Sequence, residues 1–419
     1  MNPRDLFVDT FRTLWAHKVR TGLTMFGIGW GVVSITLMVA AGEGLRVGQK
    51  QQTENLGKDL MIVFSGRTSL QAGGARAGRK LWWRDTDPAS IEREATACSH
   101  VLPELGRGGI PIRSDHNSAS LMVTGSLPPF QEIRSITVGE GRFYGWGDQS
   151  EARRVAVLGS DAAKQLFAGN QALGETIRIG DFPYRVIGVM AFKEQDSSYD
   201  GRDVNKIFVP FAAMIRDFPN KPPEPANAID QMLATPISLE KHETCKLQLA
   251  RALGRIHGFD PRDKEAVPVW DTVENLQRFK TLTDGMKYFL GAVGIVTLFL
   301  GGIGVMNVML VAVRERTREI GVRKAVGATR GSILMQFFAE TVLIVAFSGG
   351  AGMALAYSIC WAINRMKMPP FFAGLLPAPE ASLLSVALLG VVAVGAAMYP
   401  ASRAASIDPI EALRYEAGG

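Results

Sequence analysis

Catalytic and metal-binding residue types are scarce in this chain. Its 419 residues include five histidines and three cysteines. The histidines are dispersed, and His242-Glu243 lacks the second histidine of a zinc-protease helix. There is no Gly-x-Ser-x-Gly motif or paired-cysteine pattern, and the glycine-rich segment 73–80 lacks the Lys-Ser/Thr of a phosphate-binding loop. The sequence therefore predicts no catalytic residue, no metal ion and no cofactor bound by this chain, which is not expected to be an enzyme.

The three cysteines leave their pairing open. Cys98 and Cys245 lie in the segment 42–287 and pair only if they are close in space, whereas Cys360 lies in an apolar run. Free buried thiols are the favoured interpretation.

Charge is absent from four long runs, at residues 21–41, 288–313, 341–364 and 381–402. Each run exceeds the roughly 20 residues that a helix needs to cross about 30 Å of hydrocarbon. Core helices of soluble proteins seldom stay uncharged for so long. The predicted fold class is a membrane protein with four transmembrane α-helices and a large α+β extracytoplasmic domain between helices 1 and 2.

The distribution of lysine and arginine predicts the orientation in the membrane. Twelve flank the runs on one side, whereas the short loop 365–380 on the other side has two. A multi-pass protein of the bacterial inner (plasma) membrane is expected, with the N and C termini in the cytoplasm. The segment 42–287 holds 32 basic and 31 acidic residues, so the net charge of +6 belongs mainly to the cytoplasmic flanks. This charge indicates contact with membrane lipid and not with nucleic acid.

The segment between the first two spans alternates between predicted strands and helices, with strands at residues 155–158, 176–179, 184–190 and 207–209. This favours an α+β domain with two subdomains.

Asp271-x-x-Glu274 is a capping-box sequence, which predicts a helix that continues into the second span. The predicted boundaries are a cytoplasmic interfacial helix 1–20, first span 21–42, extracytoplasmic domain 43–287 with an inner subdomain at about 113–200, second span 288–313 with a stalk from about 271, cytoplasmic coupling loop 314–340, third span 341–363, extracytoplasmic loop 364–380, fourth span 381–402 and cytoplasmic tail helix 403–419.

Three residues of the spans are predicted to pack helices together. Gly27 and Gly31 form a G-x-x-x-G pattern, which lets helices approach closely. Asn307 is an amide within the second span, and we expect it to form an interhelical hydrogen bond.

Residues 314–330, RERTREIGVRKAVGATR, place six basic and two acidic residues between two spans. A plain positive-inside loop explains the charge. A docking surface is the second interpretation, in which Ile320, Val322 and Val326 form an apolar patch and the arginines contact an acidic rim.

Several sequence stretches carry a family resemblance. They are RTGLTMFGI at 20–28, VAVLG at 155–159, GETIRIG at 174–180, YRVIG at 184–188, GGIGVMNVML at 301–310 running on through the 314–330 loop, and DPIEALR at 408–414. With the layout of one span, a large outside domain and three further spans, they resemble the MacB-like permeases of ABC transporters, also called the FtsX-like family.

The resemblance implies a permease of the macrolide-exporter type that exports a drug, peptide or other small molecule. A separate ATPase chain carrying ATP and Mg would drive the outside domain by mechanotransmission, unless the sequence is a fragment of an ATPase fusion. A second permease copy and membrane lipid are further expected partners, and a periplasmic adaptor and an outer-membrane channel are compatible with the resemblance. It favours docking of the ATPase on the 314–330 loop, through Arg314, Glu315, Arg316, Thr317, Arg318, Glu319, Ile320, Gly321, Val322, Arg323, Lys324, Ala325 and Gly327.

Two other functions share the four-span plan. One is the release of lipoproteins from the membrane. The other is regulation of a cell-wall hydrolase, and those members have smaller outside domains than residues 43–287.

Overall fold

The computed structural model describes residues 18–71, 76–195, 199–377 and 379–414. The predicted interfacial helix 1–20 lies almost entirely outside these ranges, as do residues 73–75 of the glycine-rich segment and 415–419 of the tail. The helices are α1 (Lys18–Leu56), α2 (Asp87–Glu94), α3 (Phe130–Ile133), α4 (Trp146–Ser150), α5 (Ser160–Phe167), α6 (Phe211–Asp217), α7 (His242–His257), α8 (Thr272–Glu315), α9 (Thr317–Ala325), α10 (Arg330–Ile363), α11 (Pro379–Ser406) and α12 (Pro409–Arg414), with 3₁₀ helices at Asp203–Asn205 and Leu239–Lys241.

The strands share one region of the sequence. They are β1 (Met61–Phe64), β2 (Trp83–Arg84), β3 (Cys98–Arg107), β4 (Pro111–Arg113), β5 (Ser118–Ser120), β6 (Met122–Ser126), β7 (Val138–Gly141), β8 (Val155–Leu158), β9 (Thr176–Ile179), β10 (Phe182–Met190), β11 (Lys206–Pro210), β12 (Ala228–Ile229), β13 (Gln231–Pro236) and β14 (Val269–Asp271). All of them lie between α1 and α8, the first two long apolar helices.

The chain divides into two compact units, which we call the membrane unit (Met1–Gly48 with Lys280–Gly419) and the sheet unit (Gln49–Phe279). Among the described residues, four helices are long and apolar enough to cross a membrane. They cover Met25–Leu56, Thr272–Glu315, Arg330–Ile363 and Val386–Ser406. The predicted fold class is confirmed, because uncharged runs of this length leave few alternatives to a spanning helix.

The membrane unit has its own apolar core. Ile28 and Val32 of α1, Leu298 and Val305 of α8 and Phe337 of α10 belong to one buried cluster. Many other apolar side chains of these helices point outward, which is the expected arrangement for helices surrounded by lipid.

A twelve-stranded sheet forms the centre of the sheet unit. Its order is β14-β1-β13-β3-β6-β11-β8-β10-β9-β4-β5, with β7 paired to β10, while β2 and β12 form a separate ladder. Two of the pairings, β10 with β8 and β11 with β6, are parallel. The central strand β8 is buried along its whole length, which explains its continuous apolar character. The strand β13 is also fully buried, although it includes Gln231 and Thr235. The predicted inner subdomain, at about residues 113–200, contributes only some of the strands of this sheet. Its boundary stays a prediction.

The start of α8 uses half of the predicted capping box. Asp271 Oδ1 accepts hydrogen bonds from the backbone amides of Val273 and Glu274, both at 3.0 Å. The Glu274 carboxylate accepts from Lys246 and Arg278 instead of closing the box. α8 then continues for 44 residues.

Cys98 and Cys245 form a disulfide between β3 and α7. The favoured interpretation of free thiols was therefore wrong for this pair, while Cys360 is free and buried. The two paired residues are 147 positions apart, a contact that only tertiary structure brings about.

Candidate coupling site

The residues predicted to couple to an ATPase form the short helix α9 and its flanks. Ile320 is 1% exposed, whereas Val322 is 46% and Val326 is 85% exposed. Ile320 lies about 200° around the helix from Val322, so the two cannot share one face. The expected apolar patch is therefore wrong for Ile320, which packs in the core of the membrane unit.

Gly321 brings α9 against α12. A Cβ added at Gly321 would lie 2.5 Å from the Cβ of Ala412, which is itself buried. Glycine is normally unfavourable inside a helix, by about 1 kcal/mol relative to alanine. This contact explains why glycine suits the position.

Lys324 joins α9 to the end of α11. Its ammonium donates to the backbone oxygens of Ala405 and Ile407, both at 2.7 Å. Carbonyls at a helix C-terminus lack partners within the helix, and a lysine there satisfies them and offsets the negative end of the helix dipole.

Two arginines join the same segment to α10. Arg323 donates from Nη1 to Gln336 Oε1 at 2.9 Å, and Gln336 Nε2 donates to Glu340 Oε1 at 3.3 Å. Arg316 Nη1 lies 3.8 Å from the other carboxylate oxygen of Glu340, which is 3% exposed. The inward face of α9 is thereby fixed to α10.

The opposite face of α9 is open. Val322 of α9 and Val326, which directly follows the helix, are exposed together with Arg318. Among residues 18–71, 76–195, 199–377 and 379–414, Arg318 makes no ion pair. Gly327 follows with φ of +105°, a conformation that favours glycine. The other predicted coupling residues divide between exposed Arg314, Glu315, Glu319 and Ala325 and half-buried Arg316, Thr317, Arg323 and Lys324.

α12 adds an exposed apolar residue that is not among the predicted coupling residues. Ile410 is 79% exposed, on the helix that Gly321 packs against. The sequence indicated Ile410 only as an isoleucine beside charged residues in a short helix with a cap.

The predicted packing residues of the spans have different surroundings. A Cβ added at Gly31 would lie 2.9 Å from the Leu298 side chain, and one at Gly27 would lie 3.8 Å from Gly301. α1 and α8 therefore pack through both glycines. Asn307 is exposed, and its side chain makes no hydrogen bond within the part of the chain that the structure describes. Its interhelical bond stays a prediction.

The sheet unit contains a buried cluster of ionised side chains that the sequence did not predict. Asp203 Oδ1 accepts from Arg134 Nη2 at 2.6 Å, and Oδ2 accepts from Lys193 Nζ at 2.9 Å. Lys206 Nζ lies 3.5 Å from the same carboxylate. Burial raises the pKa of Asp203, but these three cations outweigh it and hold the pKa at about 2. Isolated charges in a sequence look like surface residues, so no signal marked this cluster.

Glu104 belongs to the same cluster and behaves differently. It is 0% exposed and accepts hydrogen bonds from the Tyr199 hydroxyl and, at 3.2 Å, from Gln231 Nε2. Burial and the nearby charge of Asp200 raise the pKa of Glu104 to about 7. Its carboxyl therefore changes charge near neutral pH.

Three potential metal ligands meet at the start of α8. Oxygen or nitrogen atoms of His242, Glu243 and Asp271 lie within 4.8 Å of one another. Lys246 Nζ donates to Asp271 Oδ2 at 3.1 Å and His242 Nε2 lies 2.8 Å from the same oxygen. An ammonium group at this distance disfavours a bound cation, and the arrangement is that of a helix cap held by an ion pair.

Comparison with known proteins gives two family matches. The MacB-like periplasmic core domain model matches residues 21–243, and the FtsX-like permease C-terminal model matches residues 291–409. Similar curated proteins include the macrolide export ATP-binding/permease protein MacB of Bdellovibrio bacteriovorus, with 30% identity over 97% of this chain and 61% of that protein. The pyoverdine export ATP-binding/permease protein PvdT of Pseudomonas entomophila is 31% identical over 97% of this chain and 59% of its own length.

The chain thus spans about three fifths of the length of these relatives. Among solved structures, the periplasmic region of MacB from Actinobacillus actinomycetemcomitans aligns with a TM-score of 0.42 and 17% identity, covering 55% of this chain and 97% of that one. Because this TM-score is below 0.5, the family assignment depends on the two family models and not on this structural similarity. The periplasmic core model covers more than half of the chain, which belongs to the MacB-like, FtsX-like family of ABC transporter permeases.

Proposed function

We propose that the chain is the permease of an ABC exporter in which a separate ATPase chain, carrying ATP and Mg²⁺, drives movement of α9. The movement reaches the sheet unit and changes its conformation, and a second permease copy completes the transporter. The observation that carries the proposal is the two-sided construction of α9. One face is fixed to α10, α11 and α12, while the other offers Val322 and Val326 beside basic residues.

The exposed face suits a groove on a partner protein. An amphipathic helix that docks in a groove anchors through apolar residues spaced by three or four positions, and Val322 and Val326 have this spacing. Because the opposite face is bonded to the ends of two long helices, a push on α9 acts directly on the membrane unit.

Orientation is the second part of the proposal. Disulfides persist in oxidising compartments outside the cytoplasm, and the Cys98–Cys245 bridge lies in the sheet unit. This supports a sheet unit outside the cytoplasm, with α9 and both termini inside, as the lysine and arginine distribution predicts.

The substrate class is proposed from the relatives. The names of MacB and PvdT describe export of a macrolide and of pyoverdine, and this supports small-molecule export over lipoprotein release. The four uncharged runs contain no ionisable residue of the kind that usually marks a conduction route. We therefore propose that the permease acts on its substrate from the extracytoplasmic side.

Replacing Val322 and Val326 together by glutamate tests the docking. Two carboxylates in an apolar contact would be costly to desolvate, so the purified permease should lose its co-purifying ATPase and the associated ATP hydrolysis. Ile237→Glu is the matched control, because Ile237 is an aliphatic residue of the sheet unit that is 63% exposed. Wild-type amounts of ATPase on the double variant would contradict docking through α9.

A further inference from the structure

The loop between α10 and α11, residues 364–377, lies directly on the backbone of α1. We call this loop the clasp. Its Ala373 and Leu376 amides donate to the carbonyl oxygens of Gly44 and Ala40, at 3.0 and 3.1 Å. Leu375 is buried in one cluster with Ala40 and with Cys360 of α10. The clasp therefore connects the end of α10 to α1.

Asn364, the first residue of the clasp and the one that follows α10, fixes the shape of the clasp. Asn364 Nδ2 donates to the carbonyl oxygen of Leu375 at 2.9 Å, and Asn364 Oδ1 accepts from the Leu375 amide at 2.7 Å. Gly374, with φ of +92°, leaves the space that the Asn364 side chain occupies. The bidentate amide holds the clasp in one conformation above the helix end.

Two glycines of α1 fix the register of this contact. A Cβ at Gly44 would fall on the carbonyl oxygen of Gly374 and 2.8 Å from the Phe372 ring. A Cβ at Gly48 would fall on the carbonyl of Phe371 and 2.8 Å from the Phe372 nitrogen. Gly44 and Gly48 are one helical turn apart, and the residues between them are larger. Sliding or rotation of α1 by a fraction of a turn would bring Leu45 or Val47 under the clasp, where there is no room.

The other end of α10 is the end that holds α9. Gln336 and Glu340, near its start, contact Arg323 and Arg316. From Gln336 and Glu340 to Asn364, where the clasp begins, the two contacts are about 40 Å apart along one continuous helix. In its middle, α10 also touches α1, because a Cβ at Gly29 would lie 3.3 Å from the Ser348 carbonyl oxygen.

From this geometry we propose that the clasp locks α1 to α10 through Gly44, Gly48 and Asn364, so that the two helices move as one body and α1 carries the movement of α9 toward the sheet unit. The inference rests on the proposed function and adds a second route to it besides α8. We assign all three as positioning residues, which act by fixing the relation between two helices.

The test uses the full permease purified with its ATPase in lipid nanodiscs. Backbone hydrogen exchange of residues 49–71, 76–195 and 199–279 is measured with ATP and vanadate and without nucleotide. The variants are Gly44→Leu, Gly48→Leu and the milder Asn364→Ala, which removes both bonds to Leu375. Gly285→Leu is the matched control, because a Cβ at Gly285 would meet nothing within 4 Å.

We expect the wild type and Gly285→Leu to show a nucleotide-dependent change in exchange, and the three clasp variants to lose it while they retain ATPase binding and basal ATP hydrolysis. An unchanged response in Asn364→Ala and in any glycine variant that retains the ATPase would overturn the clasp. If the wild type itself shows no nucleotide-dependent change although it hydrolyses ATP, the proposed function fails, and the clasp proposal fails with it.

Discussion

Glu104 is a buried carboxyl whose protonation links the stability of the sheet unit to pH. Its pKa is about 7 in the folded protein against an ordinary value of 4.5, so folding favours the protonated form. The stability that this group contributes is fully present below about pH 4.5 and is lost as the pH rises through about 7. The charges of Arg134 and Lys206 and the hydrogen bond from the Tyr199 hydroxyl act against this rise in the pKa of Glu104.

Glu104→Gln should therefore flatten the pH dependence. The wild type should lose on the order of 2 to 3 kcal/mol of unfolding free energy between about pH 5 and about pH 8, whereas the variant should change less, because glutamine does not titrate. Thermal unfolding of the full chain in detergent, followed by tryptophan fluorescence, measures this difference. Equal slopes for the two proteins would mean that Glu104 is already ionised at pH 5.

The Cys98–Cys245 disulfide is a second local contribution to the stability of the sheet unit. The paired substitution Cys98→Ser with Cys245→Ser should cost about 2 to 5 kcal/mol of unfolding free energy, because it frees a long loop in the unfolded chain. Urea unfolding of the sheet unit within the full protein measures the loss, and Cys360→Ala serves as the control for removal of a thiol without removal of a bridge. A double variant as stable as the wild type would show that the bridge contributes nothing to folding.

The helix α9 has one face that contacts α10, α11 and α12 and an opposite face that is exposed. Its contact with α12 depends on Gly321, so Gly321→Leu should force the two helices apart and destabilise the membrane unit by about 1 to 3 kcal/mol. Gly331→Leu is the control, since a Cβ at Gly331 would meet nothing within 4 Å. Thermal inactivation of the purified permease compares the two, and equal melting temperatures would contradict the tight contact.

The elements that the sequence predicts well are those with strong local signals. Uncharged runs predict the four spanning helices. The continuous apolar strand β8 and the alternating strand β9 keep their predicted bounds, because burial acts on each segment separately. Asp271 was recognised as a helix start because a cap acts within one turn.

Contacts between distant elements could not be predicted in the same way. The inward orientation of Ile320 depends on how α9 packs in the core of the membrane unit, and the partner of Cys98 depends on the path of α7. Glu104, Arg134 and Asp203 are ordinary charged residues until the sheet buries them together. The charged segment 314–330 can be singled out from its residues, and its coupling role stays a prediction. The division of α9 into a fixed and an open face required the structure.

At the scale of the whole molecule, the proposed mechanism requires that the membrane unit transmits a movement and that the sheet unit responds to it. α1 and α8 are single helices that begin or end in one unit and continue into the other, over Lys18–Leu56 and Thr272–Glu315. In the proposed mechanism, a displacement that starts at α9 reaches the sheet unit along these two helices. In this mechanism ATP hydrolysis is useful only if the sheet unit responds to it.

The most direct measurement places a nitroxide label at Ile237→Cys, on the surface of the sheet unit, in a chain that keeps the Cys98–Cys245 bridge and carries Cys360→Ala. Electron paramagnetic resonance then records the distance between the labels of two permease copies in nanodiscs with the ATPase. The proposed mechanism predicts a shift of the distance distribution when ATP and vanadate are added. One unchanged distribution with and without nucleotide, in a complex that hydrolyses ATP, would contradict it.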